Sequence, residues 1–152
     1  MYVDAQLTFS DAQAVTATAG STNVIDTGPL FSGNTGRNLG VGHRAYVIVN
    51  VDVAMTDAGS DSTITVTLET DDNAAFSSAA TVATLGVIPA LTAAGAVYAF
   101  GLPIAGSVPY ERYIRLMYTT TNGNLTTGSF TASITTDASI YAQYAPGFAT
   151  GI

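Results

Sequence analysis

Three carboxylates crowd the stretch Ile64 to Ser78, ITVTLETDDNAAFSS: Glu69, Asp71 and Asp72. Carboxylates this close can do two kinds of chemistry. A pair flanking a glycosidic bond hydrolyses it, and oxygens at alternate loop positions wrap calcium. Glu69-Thr70-Asp71-Asp72-Asn73 lacks the D-x-D-x-D-G alternation of an EF-hand loop. Sugar-cleaving clefts usually carry tryptophans for ring stacking, and the chain has none. By the period of a strand Glu69 points outward, while Asp71, Asp72 and Asn73 are residue types that initiate turns. The acids are therefore read as the end of a strand and the start of a turn. A calcium site built from Asp71, Asp72 and a neighbouring loop stays open as an alternative.

The other chemically capable residues yield no site. His43 is the single histidine, set in the glycine loop SGNTGRNLGVGHR, too few for a Cys/His zinc cluster and with no G-x-S-x-G elbow to form a triad. The same loop lacks the lysine of a phosphate-binding P-loop. No catalytic, cofactor-binding or metal residue is assigned, no cofactor is expected, and the chain is not expected to be an enzyme.

Composition narrows the partners. Only 10% of the residues are charged, and the net charge is −7, with no lysine and four arginines, Arg37, Arg44, Arg112 and Arg115. Nucleic acid needs a basic stripe, and anionic membranes repel such a chain, so neither is an expected partner. There are no cysteines. Asp4 stands where a signal peptide carries cations, and Val82 to Pro109 is broken by glycines and prolines, so neither export by the usual route nor a transmembrane helix is expected. With so few ions the surface must be Thr, Ser, Asn, Gly and Ala, which costs less to dehydrate than an ionic one and suits a protein that works docked.

These residues need elements to hold them, and the elements are strands. YVIVNVDVA places Val47, Val49, Val51 and Val53 on one face and Ile48, Asn50 and Asp52 on the other. STITVTLET alternates likewise, with Ile64, Val66 and Leu68 inward. RYIRLMYTT sets Ile114, Leu116 and Tyr118 opposite Tyr113, Arg115 and Met117, and SFTASITT is led by Phe130, Ala132 and Ile134. QLTFS, TNVID, ATVATLGV, AVYAFGLP and ASIYAQY are weaker strands, separated by Gly-, Pro-, Asn- and Asp-rich turns. About eight short strands without crossover helices predict one all-β domain over 1–152, an antiparallel jelly roll or β-sandwich. Residues 1 to about 20 are expected as an extended N-terminal arm and about 138–152 as a C-terminal tail.

Arg115 carries two readings. It stacks on Tyr113 or pairs with Glu69 on a neighbouring strand, or else Tyr113, Arg115 and Met117 anchor a protein interface, where such residues are favoured.

The ordered set QLTFSDAQAVTATAGSTNVIDTG, ITVTLETDDNAAFSSAATVAT, VPYERYIRLMYTTT and GSFTASIT resembles the capsid cement (decoration) proteins of short-tailed phages, of the Bordetella-phage type. The resemblance runs from about residue 5 to 137 and is weaker over Phe31 to His43 and after Asp137. It implies a jelly-roll virion protein on the outer surface of the phage head. Such a protein oligomerises, as a dimer or trimer, and bridges neighbouring major capsid protein subunits without performing chemistry. Contacts are expected from the arm (Tyr2, Leu7, Phe9), the glycine loop (Arg37, His43, Arg44), the sheet face (Tyr113, Arg115, Met117) and the tail (Tyr141, Tyr144, Phe148). The alternative is a carbohydrate-binding β-sandwich module, with calcium held by the Asp71/Asp72 loop.

Overall fold

The computed structural model describes residues 4–29, 39, 42 and 44–138. After one 3-10 turn at Ala5–Leu7, nine strands follow: β1 (Thr8–Ala14), β2 (Ala19–Gly20), β3 (Ile25–Asp26), β4 (Tyr46–Thr56), β5 (Thr63–Asp71), β6 (Ala80–Ile88), β7 (Val97–Gly101), β8 (Tyr113–Thr121) and β9 (Thr127–Thr135). One sheet has the order β1-β9-β4-β7 and the other β2-β8-β5-β6, with β3 also paired to β8. All pairings are antiparallel. With β2 and β3 sharing one strand position, this is the eight-position order of a jelly roll. Among the described residues no helix is long and apolar enough to cross a membrane.

Alternation builds the interior. Val47, Val49, Val51, Phe9, Phe130 and Ala132 from the first sheet meet Ile64, Val66, Leu68, Ile114, Leu116 and Tyr118 from the second. The Tyr118 and Phe130 rings stack across the gap at 5.6 Å.

Two departures from simple alternation occur in β4. Val53, expected inward, is 49% exposed, and Ile48, expected outward, is fully buried. Opposite β9, the register slips between Val51 and Val53 and again between Val53 and Thr56. Each slip is a bulge that inserts one residue and flips the following side chains. The first throws Val53 out and the second restores the phase, so Met55 is buried again. Ile48 lies opposite Ser133 of β9, itself buried, so the outer face of this sheet is covered at that point.

The expected N-terminal arm is a correction. Residues 8–14 form the edge strand β1, paired to β9, and 19–20 extend the other sheet beside Tyr118 and Met117. Phe9, expected at an interface, is fully buried in the core, because its ring is a large apolar surface that the sandwich removes from water. Polar side chains lock the segment in place. Ser10 Oγ lies 2.9 Å from Tyr118 Oη and donates to Gln13 Oε1, while Gln13 Nε2 donates to the Gly20 carbonyl. One short polar chain thus joins both sheets along this flank.

The opposite flank is closed by β6 and β7. Tyr98 and Phe100 stack at 6.2 Å, and Phe100 lies over Gly86, where a Cβ would stand 2.5 Å from the ring. Only glycine allows that approach. Gly86→Ala is expected to lower the unfolding free energy by about 1–3 kcal/mol, read from urea unfolding; unchanged stability would show that Phe100 moves aside freely.

Candidate functional site

The acidic stretch resolves into three separate roles. Glu69 is in register with Arg115 across β5 and β8, and its Oε2 accepts from Arg115 Nε at 2.8 Å. The guanidinium lies 4.3 Å from the centre of the Phe76 ring. A Cβ at Gly20 would come within 3.3 Å of Arg115 Nη1, so the glycine of β2 leaves room for the cation. Arg115 therefore pairs with Glu69, the structural half of its two readings, and stacks on Phe76 rather than Tyr113. Tyr113 is instead covered by Arg112, 4.9 Å from its ring centre.

Asp71 ends β5 fully buried. Its oxygens accept from the backbone N–H of Asn73 at 2.9 Å, the N–H of Ser78 at 2.8 Å and the Ser78 hydroxyl at 3.1 Å. Burial pushes its pKa upward, but the hydrogen bonds donated by Asn73 and Ser78 outweigh it and hold the carboxyl below its ordinary value. The turn also carries strain, since Phe76 sits at φ 51°, a left-handed conformation uncommon for a bulky residue. A donated N–H from Phe76 to the Asn73 carbonyl and the Arg115 stack hold it there.

Asp72 is exposed, and it meets a residue that sequence spacing could not connect to it. Glu111 lies just ahead of β8, its N–H donating to Thr70 Oγ1 at 2.8 Å. Asp71, Asp72 and Glu111 bring one oxygen each to within 4.8 Å of one another. The buried member of this corner already has its oxygens engaged with Asn73 and Ser78, so the corner as built serves the turn. Nearby, Arg112 grips Asp26 with two hydrogen bonds of 2.9 and 2.7 Å, tying β3 to the start of β8.

Of the expected contact residues, Tyr113, Arg115 and Met117 do share the outer face of β8, each half-buried. Arg44 is exposed at the entrance to β4, and Leu7 packs partly against the core. Phe9 is interior. Tyr2, Arg37, His43, Tyr141, Tyr144 and Phe148 lie outside the described residues.

Since the folded-state pKa of Asp71 is depressed, its contribution to stability is present above the ordinary aspartate range and is lost as pH falls through the lowered value. Asp71→Asn is expected to reduce the melting temperature at pH 7. The gap to wild type should close as the pH falls below about 4; a gap independent of pH would remove the carboxylate from the explanation.

A protein-family model, Bbp16, matches residues 9–134, which spans every strand from β1 to β9 apart from a residue at either end. It is a Bordetella phage protein family. No curated protein matches the chain.

Proposed function

The chain belongs to the Bbp16 family, and from that premise we propose that this phage structural protein is a capsid cement protein. It docks on the outer surface of a tailed-phage head, bridges neighbouring major capsid protein subunits and performs no catalysis. The observation that carries the reading is the family match over the whole jelly roll.

Several physical features support it. Several ions are engaged within the molecule: Arg115 with Glu69, Arg112 with Asp26, Asp71 with its own turn. Apart from exposed acids such as Asp11, Asp52 and Asp61, the outward side chains are mainly Thr, Ser, Ala and a few apolar residues, which are cheap to dehydrate. Many copies, each burying a modest area on two capsid neighbours, would stabilise a shell through multivalent linkage without any tight single contact. A two-sheet scaffold, with a core running its length, resists deformation when the shell is under internal pressure.

Truncating residues 1–10 would remove Phe9 from the core and test folding instead of docking. The informative experiment keeps the chain intact. Purified protein added to heads that lack it is expected to saturate expanded heads, to leave unexpanded procapsids bare, and to raise the temperature at which heads release DNA. Equal binding to both particles, or none to expanded heads, contradicts the proposal.

A further inference from the structure

The turn that carries the chain from β8 in one sheet to β9 in the other has a chemistry of its own. Asn122 takes φ 66° and Gly123 φ 123°, conformations that most side chains avoid. Asparagine and glycine are the types that sit there with least strain, so the turn's geometry itself selects Asn-Gly. The chain has seven asparagines, and Asn122 is the only one followed by glycine. Asn122, Gly123 and Asn124 are all exposed.

The pair sets a nucleophile beside an electrophile. A bond from the backbone nitrogen of Gly123 to the side-chain Cγ of Asn122 closes a cyclic imide, a succinimide. Such an intramolecular attack depends on how readily the two atoms can meet, and three features leave them free to do so. Among the described residues the Gly123 N–H donates to no acceptor, so no hydrogen bond must break before the nitrogen turns. Residue 123 has no Cβ to shield that nitrogen. The Asn122 amide is tethered by its Nδ2 donating to the Asp61 carbonyl at 3.3 Å, a long bond in contact with water.

We propose that Asn122 is a site of spontaneous covalent modification, deamidating through the succinimide in the native protein. The Gly123 nitrogen gives its proton to solvent base and bonds to Cγ of Asn122. The Cγ–Nδ2 bond breaks, and Nδ2 takes a proton from water and leaves as ammonia. Water then opens the imide at one of its two carbonyl carbons. Opening at Cγ restores the main chain and leaves aspartate. Opening at the backbone carbonyl leaves isoaspartate, with the main chain routed through the side chain and longer by a methylene. The sum is amide plus water giving acid plus ammonia, with nothing oxidised or reduced.

This turn has little slack to absorb such a change. On its far side Leu125 is buried in the core and its N–H donates to the Thr16 carbonyl, while Thr126 N–H donates to the Thr56 carbonyl. On its near side Thr121 is paired with Thr63 of β5. An added methylene must be taken up within residues 122–124. Either product also replaces the Nδ2 donor with a carboxylate, setting an acceptor against the Asp61 carbonyl, and adds one negative charge to the −7 of the chain.

The test is storage of the native full chain in mildly alkaline buffer, followed by peptide mapping and enzymatic methylation of isoaspartate. The peptide holding Asn122 is expected to show the amide-to-acid mass gain and to carry most of the isoaspartate. On anion exchange the stored protein is expected to develop a later-eluting form, its aspartate product matching freshly made Asn122→Asp, a variant whose side chain tolerates the backbone there. Asn122→Gln keeps an amide but must close a larger ring, and it is expected to lose the signal. Three results overturn the inference: an intact Asn122 in the stored native protein, a signal led by another asparagine, or deamidation at Asn122 in the urea-unfolded chain alone.

Discussion

The sandwich depends on the closure of two sheets around Tyr118. Its ring stacks on Phe130 of the other sheet, and its hydroxyl meets Ser10 in the interior. A phenol buried without a partner would be costly; with Ser10 beside it, the cost becomes a constraint on where the N-terminal segment lies. Burial pushes its pKa to about 12, so the hydroxyl stays protonated and able to donate. From that point β1 and β2 have little freedom, because Gln13 bridges to both Ser10 and Gly20. The segment from β1 to β2 is thereby part of the scaffold, and any capsid contact made by it must come from its outward faces.

The fold was largely legible wherever a strand is half-buried and regular. In β5 and β8 the period of two names the core residues correctly, because the strands alternate between the interior and a more open outer face. It fails in β4, where two bulges reverse Val53 and then restore Met55, and where Ile48 is covered on the outer side. Nothing local in YVIVNVDVA encodes a slip, which arises from the length mismatch with β9. The N-terminal segment was misread for a related reason. TFSDAQA is broken by two register shifts, and Ala12 takes φ 45° with its N–H donated to Thr131 Oγ1. A bulged edge strand has the sequence texture of a loop.

Of the site, the Glu69–Arg115 pair could be anticipated because strand register alone brings the two together. Phe76 and Gly20, which complete the cation's surroundings, could not: one reaches it through a left-handed turn and the other from a two-residue strand. Glu111 joins Asp71 and Asp72 only through the packing of β8 beside β5. Contacts that depend on register are visible in sequence; contacts that depend on turn geometry are not.

The distribution of charge gives the molecule two unlike flanks. On the β1/β2 side, polar side chains and the Asp26–Arg112 pair fasten loops to sheets. On the β6/β7 side, closure relies on the Tyr98–Phe100 stack, the bare backbone of Gly86 and apolar loops. A chain with so few ions gains solubility mainly from its surplus of carboxylates, and these are withheld from one side. Uniform spreading of the same eleven acids would have protected every surface equally from self-contact. Their absence from the run Asn73 to Tyr110, which carries the exposed Val87, Leu91 and Ile104, leaves that stretch of surface without formal charge of its own.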